Sequence, residues 1–93
     1  MFATIDDITI TYEEDGVVLV KELDKHVLTR GAWTTIIFKY QQWEPKNNKY
    51  SADKYSIRRY RKQNDMYSQK SKFNISNKEQ ALKVIECLGN WMQ

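Results

Sequence analysis

Tyr55–Gln80, YSIRRYRKQNDMYSQKSKFNISNKEQ, reads as two basic strands joined by a turn and followed by a helix start. Tyr55 to Lys62 alternates: Ser56, Arg58, Tyr60 and Lys62 share a polar, basic face, while Tyr55 and Ile57 begin the other, which continues with Arg59 and Arg61. Gln63-Asn64-Asp65 supplies turn residues. Tyr67 to Ile75 is the second strand, with Phe73 and Ile75 on one face and Ser68, Lys70, Lys72 and Asn74 on the other. Six of the chain's fifteen Lys and Arg lie between Arg58 and Lys72, opposed only by Asp65. Cations interleaved with rings suit a phosphate backbone with exposed bases, because cations hold phosphates and rings stack on bases. A solvated strand surface with half-buried tyrosines produces the same pattern, so the stretch alone leaves both readings open.

The helix start is a capping-box pattern, Ser76-Asn77-Lys78-Glu79. The serine hydroxyl can accept a backbone N–H of the first turn, and Glu79 can reach back. Ala81, Leu82, Val84, Ile85, Leu88 and Trp91 or Met92 then recur at helical spacing. This stripe predicts burial on the sheet, on a second copy, or both. Trp91 and Cys87 are expected to be buried, and Gly89 is either a helix end or a weak last turn.

Upstream, Trp33 to Trp43, WTTIIFKYQQW, is aromatic and β-branched and predicts a long strand. Ile36, Phe38 and Tyr40 form a core face; Trp33, Thr35, Ile37, Lys39 and Trp43 form the opposite one, where both tryptophans are available for stacking. Glu44 to Lys49 is a loop holding the only proline. Ile8, Ile10 and Tyr12 alternate with Thr9 and Thr11 as a strand, Asp15-Gly16 marks a tight turn, and Val17 resumes a strand toward Leu28. Met1 to Asp7 reads as a loose end. Whether the first hairpin joins the main sheet is open at this level. The organisation is a 1–15 N-terminal segment with an extra strand and a 16–93 ββββα domain.

With 93 residues, 41% of them hydrophobic and 29% charged, the chain is a single globular domain with a modest core. No apolar run approaches the ~20 residues of a membrane span, and no leader precedes a cleavage site, so the expected location is cytoplasmic, or nuclear in a eukaryote. One Cys and one His exclude an internal disulfide and argue against a metal site; no cofactor is expected. His26 has no nucleophile near it in a recognisable spacing, the acidic pairs sit in a tail and a turn, and the three glycines form no phosphate loop, so an enzyme is not expected. The net charge of +3 hides an asymmetry. Residues 1–24 carry seven acids against Lys21 alone, whereas residues 25–93 carry fourteen cations against five acids. A basic body attracts polyanions.

Lys70-Ser71-Lys72-Phe73-Asn74-Ile75-Ser76-Asn77-Lys78-Glu79-Gln80 resembles the last strand and helix start of the positive-cofactor-four family of transcriptional coactivators, whose architecture is related to that of the Whirly proteins. The resemblance spans about residues 16–92. It implies an α+β fold, a twisted antiparallel sheet of four or five strands followed by one C-terminal α-helix. It also implies a homodimer formed largely through the helices, with single-stranded DNA on curved sheets. It carries over Lys70 and Lys72, and with them the Arg58–Lys62 strand. Strand alternation adds Lys39 and Trp43. Together these make one ring-bearing, basic sheet side: Lys39, Arg58, Arg61, Lys62, Lys70 and Lys72 for phosphates of single-stranded DNA or RNA, and Trp43 and Tyr60 for bases. The alternative is a protein–protein interaction module using the aromatic sheet or the helix, which the acidic first quarter favours.

Overall fold

A computed structural model describes all residues, 1–93. The fold is α+β, a curled antiparallel sheet followed by one helix. The strands are β1 (Tyr12–Glu14), β2 (Val17–Thr29), β3 (Trp33–Glu44), β4 (Lys49–Tyr50), β5 (Lys54–Gln63) and β6 (Met66–Ile75), and the helix is α1 (Lys78–Trp91). The sheet order is β1-β2-β3-β5-β6, with the short β4 paired to β3. The turns follow local chemistry. Asp15 and Gly16 have φ of 52° and 79°, and Asn64 and Asp65 have 53° and 61°, which suits the two-residue loops of twisted hairpins.

Directly paired residues share a face, so the register assigns sides. Thr34↔Tyr60, Ile36↔Arg58, Phe38↔Ser56, Val27↔Ile36 and Lys25↔Phe38 define one face. Trp33↔Arg61, Thr35↔Arg59, Ile37↔Ile57 and Lys39↔Tyr55 define the other. The first is covered by the N-terminal residues and is called here the strap face. The second carries α1 at one end and is the helix face.

Met1 to Asp7 is not a loose end. Phe2 pairs with Tyr67 through reciprocal backbone hydrogen bonds of 3.0 and 2.7 Å, and its ring meets that of Tyr60 edge-on at 6.5 Å. From there the chain crosses the sheet to β2. Phe2 and Ile5 pack against a core of Ile8, Ile10, Ile36, Phe38, Tyr40, Tyr60 and Tyr67. Ile8 and Ile10 are buried, as alternation implies, but no ladder forms until Tyr12. The strap is held by side chains instead. Lys25 Nζ donates to the carbonyls of Ile8 (2.5 Å), Asp6 (3.1 Å) and Ile5 (3.3 Å). The Glu22 carboxylate accepts from Thr9 Oγ1 (2.8 Å) and the Ile10 N–H (3.2 Å). Residues 1–15 are therefore part of the same folded unit as 16–93.

The helix cap lies one residue later than the capping box suggests. Asn77 is the N-cap: its Oδ1 accepts from the Gln80 N–H at 2.8 Å, while Gln80 Oε1 accepts from the Ser76 N–H at 2.9 Å. The amide side chains do the reciprocal capping that Ser76 and Glu79 were expected to do. The helix runs through Gly89. None of its residues is buried; Cys87 is exposed and Trp91 is 77% exposed, contrary to the expected core positions. Only 11 of 93 residues are buried, the molecule is 17 Å deep along its thinnest axis, and Leu82, Ile85 and Leu88 are left exposed on the helix side.

Candidate nucleic-acid interface

The β5–β6 hairpin, Lys54–Ile75, carries seven Lys or Arg against Asp65 alone. It lies at the opposite end of the sheet from the acidic β1–β2 turn of Glu13, Glu14 and Asp15, so the charge asymmetry read along the chain becomes an asymmetry across the molecule. Its cations are not neutralised by contact. Within 4.0 Å the molecule has one contact between a basic and an acidic side chain, His26 Nε2 to Asp24 Oδ2 at 3.5 Å, and no Lys or Arg takes part in one. Arg58 and Lys72 stand directly opposite across β5 and β6. Like charges in register cost stability unless an anion sits between them.

The expected cations do not share one side. Arg58, Lys62 and Lys72 belong to the strap face, whereas Lys39, Trp43 and Arg61 belong to the helix face. Lys70 is the extra residue of a β-bulge, between the pairs Arg59↔Ser71 and Tyr60↔Gln69. That bulge changes the phase of β6. Tyr67 and Gln69 join Lys72 and Asn74 on the strap face, and Ser68 joins Phe73 on the helix face, so simple alternation fails for the first half of the strand. What brings Arg58, Arg61, Lys62, Lys70 and Lys72 together is the hairpin at the end of the sheet, whose outer strand β6 is bridged on its free side by Phe2 at Tyr67. Lys39 and Trp43 lie apart from it: Lys39 faces Asp24 in register, and Trp43 packs edge-on against Tyr50 of β4 at 5.1 Å, with Lys21 Nζ 5.0 Å from the Tyr50 ring.

Tyr60, expected to stack on a base, is instead a core residue. It is 1% exposed, at the centre of the core beneath the strap, and cannot stack on a base. Its alternation with Arg58 and Lys62 is real, but the segment that covers it lies some fifty residues earlier in the sequence. Burial raises the phenol pKa above 10, partly offset by the nearby Arg58 guanidinium and reinforced by Glu22. A phenol that resists ionising in the folded state favours folding fully below its unfolded pKa, and that contribution is lost as pH rises through the folded value. Urea midpoints should therefore fall more steeply between about pH 9 and 11 for wild type than for Tyr60→Phe; parallel curves would show that Tyr60 does not ionise on unfolding.

Trp33, which alternation had offered for stacking, and Arg59, which was not among the expected contacts, also belong with the basic hairpin. Trp33, 38% exposed, has the guanidinium carbons of Arg59 and Arg61 at 4.4 and 5.1 Å from its rings. The signal is the i, i+2 spacing of Arg59 and Arg61 opposite a strand that begins with tryptophan.

No family model, curated protein or solved structure matches the chain. No three His, Cys, Asp or Glu side chains are grouped so as to hold a metal ion, and no helix is long and apolar enough to cross a membrane.

Proposed function

We propose that the chain binds single-stranded nucleic acid, single-stranded DNA foremost, with low sequence preference, along the β5–β6 hairpin and the outer edge of β6 beyond the Phe2–Tyr67 bridge. The observation that carries this reading is the set of seven ionically unpaired cations on one hairpin, with Arg58 and Lys72 in register. Arg58, Arg61, Lys62, Lys70 and Lys72 hold successive phosphates from both sides of the edge rather than from one sheet face. An edge strand rich in lysine also discourages strand pairing with other chains, and a bulge does the same, so the hairpin is defended against aggregation while open to a polyanion. No catalytic group is required. A nucleic-acid partner places the protein in the cytoplasm, or in the nucleus of a eukaryote, with roles in transcription, replication or repair.

The working unit is a homodimer. Leu82, Ile85 and Leu88 of α1 face a groove floored by Ile37, Tyr55 and Ile57, and each is about half exposed or more. A 14-residue helix with no buried residue needs cover to persist in water. The order of strands and helix resembles that of the positive-cofactor-four family, and self-association through the helices is taken from that resemblance as well. The same groove supports a second reading, a protein-interaction module with a different partner chain.

Titration with single-stranded oligothymidylate, followed by intrinsic tryptophan fluorescence with molecular mass measured on the same sample, separates the two. Quenching with a two-chain mass supports the proposal. A one-chain mass with no fluorescence change contradicts it and leaves the interaction module.

A further inference from the structure

Arg59 and Arg61 differ from the other cations of the hairpin in being two guanidiniums set against one and the same ring system. Both guanidiniums lie within about 5 Å of the rings of Trp33, on the helix face and at the far end from α1. Neither makes a side-chain hydrogen bond or an ion pair, whereas Arg58 donates to Ser56 Oγ at 3.1 Å and to Gln69 Oε1 at 3.0 Å. Trp33 is itself set by the backbone: it pairs in register with Arg61, and Lys62 N–H donates to the Ala32 carbonyl at 2.8 Å just before it. An indole platform restricts guanidinium motion while leaving the N–H fork free. The usual entropic cost of ordering an arginine is thus reduced in the unbound protein.

We propose that Trp33, Arg59 and Arg61 form a preorganised phosphate clamp, in which the two forks grip one backbone phosphate of the bound strand and Trp33 positions them. This deepens the strand-binding reading and rests on it: a strand following the β5–β6 hairpin crosses onto the helix face at this corner. The clamp demands guanidinium geometry, which a point charge does not supply, since bidentate N–H donation to phosphate oxygens is available to arginine and not to lysine. It also demands the indole, which carries no charge.

The test uses the full chain, labelled single-stranded oligothymidylate at fixed salt, and three variants. Arg59→Lys with Arg61→Lys conserves charge, and Trp33→Ala leaves charge unchanged; each should weaken binding by about tenfold or more, the size of one lost charge-assisted contact. Trp33→Phe, which restores a ring, should recover part of the loss. Unfolding midpoints and molecular mass are measured alongside. Wild-type affinity in the lysine double variant and in Trp33→Ala would overturn the clamp while leaving the strand-binding reading intact. Absence of salt-sensitive binding by the wild type would overturn both. Loss of the two-chain mass with affinity per chain unchanged would assign the cluster to a contact between copies and overturn the clamp.

Discussion

Replacing Lys62, Lys70 and Lys72 together by alanine should reduce the slope of log affinity against log salt by about 2, because each phosphate contact on a single strand contributes about 0.7. Near 0.1 M salt this corresponds to about a hundredfold loss of affinity, taking about 1 M as the point where the term vanishes. All three side chains are exposed, and none makes a side-chain hydrogen bond or an ion pair. Lys62 Nζ lies 5.6 Å from the Tyr67 ring, a contact of at most about 1 kcal/mol at an exposed site. Removing Lys72 also relieves its in-register repulsion with Arg58. The urea midpoint should thus stay close to that of wild type. An unchanged salt slope in a folded variant would remove these lysines from the contact surface and leave them as guards of an edge strand.

Ile8→Ala should lower stability by about 2–5 kcal/mol, a large part of the 5–15 kcal/mol typical of a whole domain. Ile8 is fully buried and belongs to no ladder, so its contribution is packing of the strap onto Ile36, Phe38 and Tyr40. The strap is the only second layer on that face. Its polar tethers, Lys25 to three carbonyls and Glu22 to Thr9 and Ile10, have value only while the strap is docked. Urea unfolding of the variant measures the effect. Ile85→Ala on α1 is the contrast. Ile85 is 65% exposed within one chain, so its truncation should matter little at low protein concentration and more where two copies associate. A neutral Ile8→Ala would mean that the strap adds nothing to the core.

The elements of the sheet were legible because their signals are local. Ile36, Phe38 and Tyr40 alternate within one strand, and all three are buried. Asp15-Gly16 and Asn64-Asp65 carry their turn geometry in their own residue types. The misreadings have long-range or single-residue causes. Tyr60 looked like part of a basic surface because its cover, Phe2 and the residues after it, is far away in sequence. Lys70 forms a bulge, and one extra residue reverses the facing of the first half of β6. The two-residue β4 has no periodicity to read and exists because Lys49-Tyr50 reaches back to Trp43-Glu44. The cation cluster was visible as composition, but its arrangement around an edge rather than on one side was not, since that depends on the twist and order of the strands.

The most direct measurement is equilibrium binding of the wild-type chain to labelled single-stranded DNA across a salt series from about 0.05 to 0.5 M. A linear, steep decline of log affinity with log salt, reflecting several phosphate contacts, is the predicted result. Negligible retention at the lowest salt, or an affinity indifferent to salt, would contradict it.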